Sequence, residues 1–277
     1  EEEAERARAT KDETIILHVL DISRKTRLQA LIDRMSFDQY LSFWPMMKSW
    51  SHIQHEWAPC RQFFGLRPTT ALALRQLLID NCATVAKFVA RKCPDLVNRD
   101  VLFALIGGNN IKADWDMVQA LMSIESQDAK VIDNIYIPFC RYLSQFGRTK
   151  EGREKTFSSG FSSFGFPRFV LEDNEANVLF NDDLVEKFDH FIDALVCFTA
   201  LHDVHSLNPV QPVLYAFINT CLLQERLKLE EKAFHGWAAV INGFGGLEHG
   251  LYLPETVPSK RKSTERSGEG RSVRPRF

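Results

Sequence analysis

The chain has 277 residues, 45% of them hydrophobic and 25% charged, with a formal net charge of −2. That is the composition of a folded globular protein with material for a substantial core, and it excludes collagen-like, low-complexity and wholly disordered classes. The longest apolar runs, such as LVCFTAL at 195–201, fall far short of the roughly 20 residues a membrane helix needs, so no membrane partner is expected.

After a charged arm over 1–11, Leu17, Leu20, Arg24, Leu28, Leu31 and Met35 recur at three- and four-residue spacings and predict a helix over 12–35. Pro45 divides the next stretch into two helices, and beyond it Met46, Trp50, Ile53 and Trp57 share a face. RPTTALALRQLLIDNCATVAKFVARKCP reads as one long central helix, from a Thr cap after Pro68 to a stop before Pro94. NRDVLFALIGG, capped by Asn98 and stopped at Gly107 and Gly108, and ADWDMVQALMSI continue the pattern. DAKVIDNIYIPFCRYLSQFG follows, with a kink expected at Pro138.

The helical period then vanishes from Gly147 to about Asp182, and RFVLEDNEANVLF inside that gap predicts a hairpin near 168–180. A helix is expected again from Asp182, with Leu184, Phe188, Phe191, Leu195, Phe198 and His202 on one side and Asp182 and Asp183 at its positive end. Asn208 and Pro209 cap another helix, which ends at Gly243, Gly245 and Gly246. From Pro254 onward the composition is that of a disordered tail, with seven Lys/Arg against three Glu, a net +4 that leaves −6 for residues 1–253. The fold class is therefore all-α, a bundle of roughly nine to ten helices with one short β-hairpin. Two lobes, 12–146 and 182–253, are joined by the segment 147–181.

Cys60, Cys82, Cys93, Cys140, Cys197 and Cys221 are widely spaced without a C-x-x-C pair, as buried thiols of a reducing, cytoplasmic or nuclear compartment would be. In HDVH, His202 and Asp203 resemble half of a metal-dependent phosphohydrolase site, yet no Asp follows Asp203 to complete it. His202 lies five whole turns from Leu184 and so points into the apolar stripe as a core histidine, while Asp203 lies about 100° away. HIQHE places His52 and His55 three apart beside Glu56, but opposite Trp50 and Trp57; this reads as a solvated face without the further ligands zinc requires. Glu186, Asp189, His190 and Asp193 read likewise as an exposed acidic face, and IGGNNIK at 106–112 as a helix stop lacking phosphate-loop spacing. No catalytic residue, metal or cofactor is implied.

The remaining signal is 147–169, GRTKEGREKTFSSGFSSFGFPRF. Arg148, Lys150, Arg153, Lys155 and Arg168 are interleaved there with Phe157, Phe161, Phe164, Phe166 and Phe169. Cations that follow phosphates and rings that stack on unpaired bases are what single-stranded nucleic acid requires. Burial of the rings under the loop, or docking on another chain, accounts for the same pattern. Lys260, Arg261 and Lys262 in the tail form a basic cluster suited to RNA, to nuclear import or to an acidic neighbour. The expectation is a non-enzymatic, nucleocapsid-like protein that binds single-stranded RNA and assembles with copies of itself. A protein-interaction module, with the nucleus as one setting the basic cluster suits, competes with it, and a metal-dependent helical enzyme ranks third.

Overall fold

The computed structural model describes residues 12–33, 35–92, 129–145, 157, 167–172, 175–180, 183–205 and 212–223. Helix α1 (Glu13–Ile32) starts where the Asp12 carboxylate accepts the Thr14 amide at 3.0 Å, which satisfies one of the donors every helix start leaves open. Ser36 does the same for α2 (Phe37–Phe43), and Pro45 opens a 3₁₀ turn (Pro45–Lys48) before α3 (Trp50–Phe63). At the end of α3 the Leu66 amide donates to the Arg61 carbonyl at 2.8 Å and the Gly65 amide to Gln62 at 3.1 Å. Gly65 supplies the left-handed conformation, φ 74°, that this reversal needs.

The long central helix expected after Pro68 is two helices, α4 (Ala71–Asp80), capped by Thr70, and α5 (Cys82–Lys92). The break has a physical cause. The Tyr136 hydroxyl donates to the Leu78 carbonyl at 2.6 Å, competing with a continuing ladder, and the Asn81 side chain donates at 2.8 Å to the Leu77 carbonyl, which also keeps the Asn81 amide at 3.1 Å. Tyr136 comes from α6 (Ala129–Ser144), which runs on through Pro138. The two helices read between Asn98 and Ile124 lie outside the described residues.

The predicted hairpin is present as β1 (Arg168–Glu172) and β2 (Glu175–Phe180), antiparallel with Phe169 opposite Val178. A third antiparallel strand, β3 (Asp183–Phe188), joins β2 with a bulge at Val178/Leu179. This corrects the reading of 182–190 as the start of a helix. Leu184, placed in the apolar stripe by a helical period, is 51% exposed, and Phe188 packs edge-on against Trp50 at 5.9 Å. Pairing with β2 outweighs a weak local helix preference.

The following helix, α7 (Phe191–Val204), is the centre of the molecule: all of its residues except Asp193 are buried. It packs against α3, α4, α6 and the sheet. The buried side chains of α3 to α7, of the sheet, and of the short α8 (Pro212–Ala216) with its π turn (Phe217–Leu222) belong to one apolar cluster. Among the described residues the chain is thus mostly helical, eight α-helices around one small sheet, and no helix is long and apolar enough to cross a membrane.

Candidate functional site

The aromatic segment meets the folded body at Phe157 and Phe169. Phe157 is half-buried, its ring 5.2 Å from Phe169 and 6.1 Å from Phe191, with the exposed Arg141 guanidinium 5.7 Å from its centroid. Phe169 stacks on Phe198 of α7 at 4.7 Å and is fully buried. Two of the phenylalanines therefore face the core, because burial of a ring against other rings is worth more than its exposure. Arg168, placed with the nucleic-acid cations by sequence, is the first residue of β1 and only 3% exposed. Arg148, Lys150, Arg153, Lys155, Phe161, Phe164, Phe166, Lys260, Arg261 and Lys262 lie outside the described residues.

Several basic residues of the body are already committed to carboxylates. Arg75 reaches Asp193 at 2.7 Å, Lys187 reaches Glu175 at 3.6 Å, and Lys48 pairs with Asp183. Charge held this way must be released before it can hold a phosphate.

Two polar clusters escaped the sequence reading. In the first, Asp203 is 5% exposed. Its Oδ2 accepts from Arg61 Nη1 at 2.6 Å and Trp57 Nε1 at 2.7 Å, and its Oδ1 accepts from the Tyr215 hydroxyl at 2.5 Å. Arg61 also donates to Asn219 at 2.9 Å and to the Arg67 carbonyl at 2.8 Å. This carboxylate, with an ion-pair partner and both oxygens occupied, joins α3 to α7 and the π turn. The i, i+4 spacing of Trp57 and Arg61 was the only available sign, and it named no partner.

The second cluster lies between α1 and α3. Glu56 accepts from Arg27 at 2.5 Å and from Arg24 at 2.9 Å, while His55 Nε2 sits 2.9 Å from Asp21. The bond with His55 and the neighbouring Arg24 hold the Asp21 carboxyl below its ordinary range. This corrects the reading of HIQHE as a solvated face: His52 is 6% and Glu56 1% exposed, because α1 covers that side of α3. Ligand atoms of Asp21, His55 and Glu56 converge within 4.8 Å. Two guanidinium groups already occupy those carboxylates, and a divalent cation beside them would meet strong like-charge repulsion.

His202 is the core histidine expected, 2% exposed with Nδ1 2.9 Å from the Phe198 carbonyl, and burial lowers its pKa. Burial pushes the thiols of Cys60 and Cys82 up to about 12, far from the thiolate a nucleophile needs. The acidic face expected from Glu186 to Asp193 is dispersed: Glu186 is on β3, Asp193 pairs with Arg75, and His190 sits 3.3 Å from Asp133 of α6.

Between α1 and α2 lies an open groove of about 590 Å³ lined by Lys25, Thr26, Gln29, Ala30, Asp33, Met35 and Gln39. Ile15, 41% exposed, and Ile22, 48% exposed, lie on α1 and Phe43, 50% exposed, ends α2. Ile15 and Ile22, seven residues apart, fall within about 20° of one another around the helix. No protein family, curated protein or solved structure matches this chain.

Proposed function

We propose that the chain is a non-catalytic helical protein that assembles with copies of itself and binds single-stranded RNA along its aromatic, basic segment. The observation that supports assembly most is the outer side of α1, which leaves Ile15 and Ile22 uncovered beside the groove. Exposed apolar side chains grouped this way mark interaction surfaces. The same side carries Lys25 and Asp33, one charge of each sign, eight residues apart. Two copies meeting antiparallel about Gln29, at the C-terminal end of α1, bring each Lys25 to the other copy's Asp33, so this charged part of the surface complements itself through a two-fold axis, with Ile15 and Ile22 lying beyond the overlap of the two α1 helices.

Sedimentation across a concentration series tests this. The wild-type chain is expected to associate, Lys25→Asp and Asp33→Lys each to weaken association, and the double exchange to restore it. A monomer at every concentration, or no restoration, removes the assembly reading. Binding of a short single-stranded RNA over a salt series tests the other half. Affinity should fall with salt and on replacing Arg148, Lys150, Arg153 and Lys155 together. Absence of binding at low salt removes that reading.

A second reading, a module that binds a different protein, is favoured by the internal pairing of Arg24, Arg27, Lys48, Arg61, Arg75 and Lys187 with carboxylates. Arg27 and Arg61, buried in their pairs, are closed to a polyanion, and the exposed pairs leave less unbalanced positive charge on the body.

A further inference from the structure

Arg141 stands exposed in the last turn of α6, with the Cζ of its guanidinium 5.7 Å from the centroid of the Phe157 ring. That is within the range of a cation–π contact, which holds the group by its charge and engages no N–H in a hydrogen bond. The carbonyl end of the helix favours a cation there in the same undirected way. Arg24, Arg27, Lys48, Arg61, Arg75 and Lys187 each reach a carboxylate, whereas Arg141 reaches neither a carboxylate nor another acceptor among the described residues. Lys25, which also lacks an ion pair among them, shares its groove with Asp33. The planar fork of Arg141, with five donors, is therefore held in place and left open to an anion. Phe157 in turn rests on the core rings Phe169 and Phe191, at 5.2 and 6.1 Å, so the support under Arg141 belongs to the folded body.

The place of Arg141 in the chain points to the kind of anion. Gln145 follows it by one turn, just past the end of α6, and Phe157 is the ring beneath it. Between Gln145 and Phe157 the sequence carries Arg148, Lys150, Arg153 and Lys155 against Glu151 and Glu154. Arg148 follows Gln145 by three residues and Lys155 precedes Phe157 by two, so covalent reach alone keeps both near Arg141. We infer that Arg141 is a further phosphate contact for single-stranded RNA, a bidentate grip fixed to the folded body on the strand that the neighbouring cations attract. This rests on the RNA reading above. Phe157 is then a positioning residue that holds the guanidinium, and not a platform on which a base stacks.

The test is binding of a short oligouridylate to the whole chain over a salt series, comparing the wild type with Arg141→Gln, Arg141→Lys and Arg75→Gln. Arg75 spends its charge on Asp193. Arg75→Gln therefore changes the net charge as Arg141→Gln does, and it separates a contact from a general loss of positive charge. Arg141→Gln is expected to bind about tenfold more weakly at low salt, the size of one hydrogen-bonded contact to a charged group. The slope of log affinity against log salt should fall by about 0.7, the share of one single-strand phosphate; a residue that only supported the fold would leave that slope unchanged. Arg141→Lys should keep the slope, and Arg75→Gln should leave both quantities near those of the wild type. If the wild type binds and Arg141→Gln changes no more than Arg75→Gln, the inference is overturned and the RNA reading stands. A loss of slope in Arg141→Lys equal to that in Arg141→Gln also overturns it, because charge at that position would not be what the strand meets. If the wild type does not bind at low salt, the RNA reading falls and this inference with it.

Discussion

Helices α1 and α7 are of similar amphipathic reading in sequence and opposite in use. α7 is enclosed on every side and touches α3, α4, α6 and the sheet, with its one buried carboxylate, Asp203, fully engaged. α1 is the longer helix, yet only Val19, Leu20, Arg27 and Leu28 are buried, and much of its hold on α3 passes through Glu13, Asp21, Arg24 and Arg27. Apolar burial scales with area and is not weakened by charge screening, whereas a polar seam loses strength as salt screens it. The difference separates a centre held by apolar burial from an element held in large part by charge.

The largest effect should come from the centre. Asp203→Ala leaves Arg61 buried without its counter-charge and is expected to cost about 3–5 kcal/mol in urea denaturation. Replacing both partners with apolar residues of similar volume, Asp203→Leu with Arg61→Met, should recover much of that loss. Equal loss in the single and double variants would mean that the bonds to Trp57, Tyr215 and Asn219 matter more than the charge pair.

Acid is the next lever on the same region. Burial holds His205 neutral, with its pKa lowered to about 3, and lowers His202 as well. Both folded values lie below the unfolded value of about 6.5. The unfolded chain therefore takes up the protons first, and stability falls as pH drops from about 6.5 towards the folded values. At about pH 5 the loss from His205 alone should be about 2 kcal/mol. His205→Gln should flatten this acid limb whatever its stability at neutral pH, and denaturation midpoints at the two pH values provide the check.

Smaller effects sharpen the boundary between core and surface. Phe157→Ala removes a half-buried ring from Phe169, Phe191 and Arg141 and should cost about 1 kcal/mol. If RNA is the ligand, Phe161→Ala and Phe164→Ala should lower its affinity at an unchanged denaturation midpoint. An unchanged affinity with a shifted midpoint would place those rings with Phe157 and Phe169. The smallest effect is expected at the exposed Lys48–Asp183 pair, where Lys48→Ala should cost less than about 1 kcal/mol and the cost should shrink with added salt.

Much of the secondary structure was legible residue by residue. The Thr cap read after Pro68 is Thr70, and RFVLEDNEANVLF forms its hairpin. The misreadings share a cause. Leu184 and Phe188 have helical spacing and sit in a strand, because β2 offers a pairing partner that spacing does not record. Asn81 divides two helices because Tyr136, distant in sequence, takes a carbonyl from the turn before it. At the candidate site the segment was legible as a composition of cations and rings. The inward position of Phe157, Phe169 and Arg168 was not, since it depends on α7 and the sheet meeting there.

The sequence alone determined the helical class, the hairpin and His202 as a core residue, all consequences of periodicity and local chemistry within a few residues. Tertiary structure decided which polar residues are buried. His52, Glu56, Arg61 and Asp203 all carry side chains that favour water, and each meets a partner of matching charge or hydrogen-bonding capacity that arrives from another helix. Such pairing is a property of two distant segments at once, and no local pattern in either one encodes it.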